Sequence, residues 1–451
     1  MTHEDSNNGA MPSGDGPALS ASLSELCTRA QRHPEGHTGR LIAVFRDDDP
    51  GTASTSFDAA LNRVNAHSHD FADDAVDFGA LSTAEALTFD NLGIAIVTGS
   101  AAEALSFSSS RPAEGFTTAV DQPFVLVPET IEWAQTDPGS YLRGFRAAVD
   151  RIYRDLGHPD APDADHELAD GGLQTAEHTW GLIATGVPLS PFGGTDIRVA
   201  ILDTGLDLEH PDFRDRRILA QSFIPGETPQ DANGHGTHVA GTACGPRVPH
   251  VPGPRYGIAH DSDILVAKVL GDNGSGSTAG ILAGINWALQ NGAQVINMSL
   301  GNRVPTEALH YTQAGRSALN QGALIIAAAG NSNEPTGQPA NSPTVLSVAS
   351  ITSSMAKSGF SNFGKIDLAG PGSSIDSALP RPRKRGYLSG TSMAAPHVAG
   401  IAALHAQARG LRGRELWAHL QRTARRLSLP ATMVGAGLVQ APGLDSPKAG
   451  P

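Results

Sequence analysis

Three short stretches of this sequence set a reactive side chain at the edge of a regular element. Val199-Ala200-Ile201-Leu202-Asp203-Thr204-Gly205 reads as an apolar strand ending in a carboxylate. Open α/β sheets bind ligands at the carboxyl ends of their strands, so Asp203 can serve catalysis, hold a metal or a ribose, or simply cap the strand. In His235-Gly236-Thr237-His238-Val239-Ala240-Gly241-Thr242 the glycines let a helix begin close to another backbone, with His235 at its mouth. Two histidines three apart can bind a metal, but no acidic or cysteine ligand stands at zinc-site spacing beside them. His238 therefore reads as a packing residue. Gly390-Thr391-Ser392-Met393-Ala394-Ala395-Pro396-His397-Val398-Ala399-Gly400 leads into an apolar helix, which puts Ser392 at the positive helix end. Backbone N–H groups there can stabilise an oxyanion, although a plain Ser/Thr cap would look the same. Gly330-Asn331 follows the apolar run Ile325-Ile326-Ala327-Ala328-Ala329 and is also ordinary turn material.

Taken together, an Asp, a His in HGTHVAG and a Ser in GTSMAAPHVAG, in that order, resemble the subtilisin (subtilase) family of serine peptidases over about residues 179–441. The resemblance implies a serine endopeptidase with Ser392 as nucleophile, His235 as general base and acid, and Asp203 orienting the imidazole. It makes Asn331 an oxyanion donor. It also implies that peptide substrates add as a strand between Gly274-Ser275-Gly276 and Ser299-Leu300-Gly301. Leu300, Thr278 and Ile281 would then line the pocket for the fourth residue before the cut. Ala328, Ala329, Gly330 and Gly337 would wall the pocket for the residue just before it, leaving room for a large apolar side chain. Asp212 matches a family position that helps to hold a structural calcium. The loop from Gly245 to Arg255 nevertheless offers no Asp, Asn, Glu or Gln side chain and carries two arginines, so calcium is disfavoured and no metal or other cofactor is expected. Asp367 resembles a member of a weaker cation site, or is a surface carboxylate.

These residues need a scaffold. Arg198–Leu202, Ile264–Leu270, Val295–Leu300, Leu324–Ala329 and Val345–Ser350 read as short apolar strands, with helices at Ala279–Gln290 and Thr306–Asn320 and another running to about Ala408. Such alternation predicts an α/β fold with a mostly parallel central sheet covered by helices on both faces. A small α+β domain precedes it, with strands at Arg40–Arg46, Leu92–Val97 and Phe124–Val127 and helical spacing at Phe57–His67, Ser100–Leu105 and Tyr141–Leu156. The expected division is a mobile segment 1–38, the α+β domain 39–156, a linker 157–178 whose Asp/Pro/Gly-rich part is Gly157–Gly172, the catalytic domain 179–442 and a loose tail 443–451. Family members often carry an α+β pro-domain that plugs the cleft with its last strand. The N-terminal domain is thus expected to be an intramolecular inhibitor of a zymogen, or a permanent accessory domain.

A formal net charge of -14 argues against nucleic acid or an anionic membrane as partner. Cys27 and Cys244 are the two cysteines, too few for a disulfide framework. The first residues show neither a basic start nor an apolar run, from which a cytoplasmic location is expected. Two alternatives remain open: a transamidase or peptide cyclase using the same acyl-enzyme, and a non-catalytic peptide-binding protein. No insertion near Ser392 shields an intermediate from water, and no triad residue is missing, so hydrolysis leads.

Overall fold

Short strands that are apolar at every position bury both faces, and the computed structural model assembles them so. It describes residues 40–45, 65–67, 86–98, 116–120, 123–125 and 174–443. At the N-terminal end, β1 (Arg40–Phe45), β2 (Asn65–His67), β3 (Ala86–Phe89), β4 (Ile94–Thr98) and β5 (Phe116–Val120) form a sheet in the order β2-β3-β4-β1-β5. Residues 65–67 correct the expected helix over Phe57–His67, because they pair in parallel with β3. Strands β3 and β5 add to the strands that the sequence predicts in this region. The helices expected at 100–105 and 141–156, the segment 1–38 and the linker stretch 157–172 lie outside the described residues.

After β6 (Pro123–Val125) the main domain opens with α1 (Trp180–Ala184), β7 (Arg198–Asp203), β8 (Ile218–Ser222) and α2 (His235–Cys244). It continues through β9 (Asp263–Lys268), β10 (Ser275–Ser277), α3 (Thr278–Gln290), β11 (Val295–Met298), α4 (Leu309–Asn320), β12 (Leu324–Ala328) and β13 (Leu346–Ile351). It closes with β14 (Leu368–Pro371), β15 (Ile375–Ala378), β16 (Arg385–Leu388), α5 (Thr391–Arg409), α6 (Gly413–Thr423) and α7 (Ala431–Val434). Seven strands run in the order β14-β13-β12-β11-β7-β9-β8. Every pairing among them is parallel.

The two-residue period of the strands divides the core. Val199, Ile201, Val266, Val295 and Ile326 face α2 and α5, while Ala200, Leu202, Leu265, Ile296 and Ile325 face α3 and α4. Helix α5 is buried along almost all of its length, and its alanines and Gly400 let it lie against both α2 and the sheet. Among the described residues, no helix is long and apolar enough to cross a membrane.

The N-terminal sheet rests one apolar face, including Ile42, Val44, Leu87, Phe89 and Ile94, in the same core as Ile281 of α3 and Tyr311 of α4. Ser317 donates to the Leu92 carbonyl at 3.3 Å and Gln321 to that of Asn91 at 3.3 Å. Strand β6 pairs antiparallel with β10, setting Val125 opposite Ser275, Phe124 opposite Gly276 and Pro123 opposite Ser277.

Several imidazoles are buried among the described residues. Burial lowers His238 to about 3 and His310, His397 and His405 to about 4, from an ordinary 6.5. The unfolded chain takes up protons at these rings near pH 6.5 and the folded protein does not. Their contribution is therefore complete above that pH and declines as pH falls towards 4, by up to about 1.4 kcal/mol per pH unit for each ring. Urea midpoints at about pH 7 and about pH 5 should show the loss; equal midpoints would contradict it.

Candidate functional site

The carboxyl ends of three adjacent strands, β7, β11 and β12, meet at one edge of the sheet. Asp203 ends β7 and is fully buried. Its Oδ1 lies 2.7 Å from His235 Nδ1 and accepts the Thr204 N–H at 2.7 Å. His235 stands at the first position of α2, where a second buried carboxylate organises the turn. Asp231 Oδ1 accepts the N–H groups of Asn233 at 3.0 Å and Gly234 at 2.9 Å. Its Oδ2 accepts the Thr237 N–H at 2.9 Å and the Thr237 hydroxyl at 2.6 Å. Thr204 ties the two acids together, donating to Asp231 at 3.0 Å while accepting the Gly236 N–H at 2.8 Å.

The glycines of this junction are required by close approach. A Cβ on Gly236 would lie 2.2 Å from the Gly205 carbonyl oxygen. Gly205 itself has φ +106, and a Cβ there would meet the Pro229 carbonyl at 2.3 Å. Lys268, fully buried on β9, donates to the Thr204 carbonyl at 2.5 Å and to Asp272 at 2.7 Å, fixing the end of β7 to the loop before β10.

Ser392 is the second residue of α5, which packs against α2. Pro396 lies four residues on and has no N–H to give the Ser392 carbonyl. Ser299 supplies the donor instead, its hydroxyl reaching that carbonyl at 2.7 Å while accepting from Asn297 Nδ2 at 2.9 Å. In the first turn of α5, Asn331 Oδ1 takes the Thr391 N–H, and the Gly390 carbonyl takes those of Met393 and Ala394. The Ser392 N–H is left without a partner among the described residues. Asn331 Oδ1 also accepts the Thr391 hydroxyl at 2.8 Å, so the amide NH₂ of Asn331 is the end left free to donate.

A cavity of about 260 Å³ opens beside Ser392. Ser299, Leu300 and Gly301 form one side of it and Ala328, Ala329, Gly330 and Asn331 another. Gly337 is placed differently. Its missing Cβ admits the Asn302 carbonyl, which would lie 1.9 Å from that atom, and the lining side chain is Gln338. Leu300 lines this same cavity, and Ile281 is buried in the core beneath the sheet with Thr278 beside it on α3. Gly274 and Ser275 to Gly276 form the turn and strand that face β6.

Elsewhere the expected side chains are engaged. His238 Nε2 lies 2.9 Å from the Ile375 carbonyl and 3.2 Å from that of Gly386. Among the described residues no group of three or more His, Cys, Asp or Glu could hold a metal ion. Asp212, the calcium candidate, accepts the backbone N–H groups of His250 and Val251 at 2.5 and 3.0 Å on Oδ1, and the Tyr256 hydroxyl at 2.5 Å on Oδ2. Burial, with Asp212 beside it, pushes the Tyr256 phenol well above its ordinary value, so it stays a donor. Donor hydrogens thus surround this carboxylate, whereas a calcium ion takes a shell of oxygens. Asp367 pairs with Lys365 at 2.7 Å and accepts the Ser347 N–H at 2.8 Å. Tyr256→Phe should therefore cost about 1–3 kcal/mol by leaving a buried acceptor unsatisfied, whereas a chelator should leave the melting temperature unchanged. A large drop on adding chelator would restore calcium to this loop.

Known proteins resemble this chain over the main domain. A model of the Subtilase family matches residues 194–437, more than half of the chain. Subtilisin-like protease 1 of Trichophyton verrucosum is 39% identical over 253 residues, which are 52% of this chain and 60% of that protein. The chain thus spans less than two thirds of that relative's length. The major intracellular serine protease of Bacillus subtilis (strain 168) is 38% identical over 265 residues, covering 54% of this chain and 81% of that one. The crystal structure of a cold adapted subtilisin-like serine proteinase superimposes with a TM-score of 0.50 at 34% identity, covering 58% of this chain and 97% of that chain. A match to the family model over more than half of its length places the chain in the subtilase family.

Proposed function

We propose that the protein is a serine endopeptidase that hydrolyses peptide bonds of proteins or peptides through an acyl-enzyme. The observation that carries this reading is the buried 2.7 Å contact between Asp203 and His235, at the sheet edge where Ser392 begins α5 beside the cavity. Asp203 holds the Nδ1–H tautomer of His235 and stabilises the imidazolium once it forms. Ser392 Oγ attacks the substrate carbonyl carbon and its proton passes to His235 Nε2. Negative charge grows on the carbonyl oxygen, where Asn331 Nδ2 and the Ser392 N–H donate. The intermediate collapses by breaking the C–N bond, and the amine leaves with the proton from His235. Water then repeats the sequence on the ester, giving a free carboxylate and restoring Ser392.

Ser392→Ala should lower turnover by several orders of magnitude, to the roughly 10³–10⁴-fold over water that binding and the oxyanion hole provide. Asn331→Ala should cost on the order of 10²–10³ in turnover, a magnitude known from subtilisins themselves. Cleavage of an unstructured protein, scored by new amino termini, checks both. Wild-type turnover in Ser392→Ala would end the reading, and joined rather than hydrolysed products would favour the transamidase.

The N-terminal domain is proposed to act as the chain's own inhibitor. Strand β6 occupies β10, one of the two segments on which a peptide substrate would add. Full-length Ser392→Ala protein should then stay intact, while wild type is cut after residue 125 and before β7 and gains activity. Intact and fully active wild type would make the N-terminal domain a permanent part instead.

A further inference from the structure

The cavity beside Ser392 adds polar side chains to its small apolar walls. Asn302, Arg303, Ser332, Gln338 and Asn362 complete it, and no Asp or Glu lines it. Most of the amide capacity there is already used. Asn362 accepts the N–H groups of Ser332 and Glu334 at 2.9 and 3.1 Å and donates to the Ala329 carbonyl at 3.1 Å. Gln338 donates to the Thr306 carbonyl at 2.8 Å, and Asn302 Oδ1 accepts the Val304 N–H at 3.0 Å. Arg303 differs from these neighbours. Its guanidinium has no carboxylate and no hydrogen-bond partner among the described residues, whereas Arg381 is held by Asp207 and Glu209 and Arg385 by Asp376.

Its backbone is nevertheless fixed, because the Asn302 N–H donates to the Gln338 carbonyl at 2.9 Å and Gly337 packs against the Arg303 Cα. A planar cation with unused donors, held at the lining of a cleft without acids, matches a carboxylate in charge and in fork geometry. Low-dielectric walls such as Ala328, Ala329 and Leu300 strengthen its field in the cavity. We propose that this cavity selects an acidic side chain on the residue whose carbonyl is attacked, with Arg303 as the specificity-determining group. The proposal rests on the hydrolytic reading of the site.

Four quenched peptides differing only at that residue (Glu, Asp, Gln or Leu) test it with the wild-type enzyme after any processing of its N-terminal domain. Arg303 is exposed, so the charge preference is moderate: kcat/KM for Glu should exceed that for Gln by roughly fivefold at low salt. The ratio should fall towards one as ionic strength rises to about 1 M, where screening is nearly complete at such distances. It should also fall to about one in Arg303→Ala, drop below one in Arg303→Glu and survive in part in Arg303→Lys. Each ratio is taken within one protein, so a loss of folded enzyme cancels, and the salt series needs no variant at all. A Glu-to-Gln ratio near one in wild type, insensitive to salt and to Arg303, overturns the proposal while leaving hydrolysis intact. Absence of cleavage of all four peptides, indistinguishable from Ser392→Ala, would instead overturn the hydrolytic reading.

Discussion

The site depends on keeping two carboxylates dry at one junction. Asp203 and Asp231 are almost wholly buried, a costly state for a charge unless hydrogen bonds replace the lost water. Asp231 gains four donors from the turn that starts α2, and Asp203 gains His235 and the Thr204 N–H. Those donors reach the acids only if α2 begins against the end of β7, closer than any Cβ permits at Gly205 or Gly236. The glycines, Thr204 and buried Lys268 are thus consequences of one demand: the imidazole must meet its acid away from water.

A parallel constraint governs the serine. Placing Pro396 inside α5 removes the one N–H that would have satisfied the Ser392 carbonyl, and Ser299 at the end of β11 takes over. The backbone of Ser392 is thereby pinned to the strand that also forms one side of the cavity. Asn331, at the end of β12, is pinned to the preceding residue, Thr391, by both the N–H and the hydroxyl. Two strand ends therefore set the position of one helix start. Small errors in strand register would carry directly into the proposed oxyanion geometry.

Much of this was legible in the sequence, for a physical reason. Strands β7, β9, β11, β12 and β13 lie inside the sheet, and burial on both faces writes a continuous apolar run. The edge strands β8 and β14 carry no such run: Ile218–Ser222 is only partly buried, and Leu368–Pro371 contains Gly370 and Pro371. Strand β2, Asn-Ala-His, has no strand signature of its own and exists through its pairing with β3. Asp203, His235, Ser392 and Asn331 were readable because each follows or opens a patterned element. Asn302, Arg303 and Gln338 were not, since their meeting depends on a loop-to-loop contact between segments remote in sequence. Gly337 departs from its expected place in the wall for the same reason, because a glycine admits a neighbouring backbone as readily as a ligand. Asp231 carried a faint signal, an acid just ahead of a helix that opens on His-Gly, which only the capping contacts make specific.

The N-terminal sheet is held by one set of residues and meets β10 through another. Strand β6 contributes three residues of pairing to β10, and one of them is Pro123, which has no N–H to give the ladder. So short a strand would not stay on the edge by itself. The hold comes from the apolar face of the sheet, where Ile42, Val44, Leu87, Phe89 and Ile94 share a core with α3 and α4. Strand β5 ends at Val120 and β6 begins at Pro123, so docking of the sheet keeps β6 at high effective concentration over β10. In the proposed zymogen, a cut after β6 would leave the sheet docked yet turn the blocking strand into a free end. It would then compete with substrate through three residues of backbone alone. Occlusion would be lost before affinity, and release of the whole domain would follow from dilution or digestion rather than from any change at the catalytic residues.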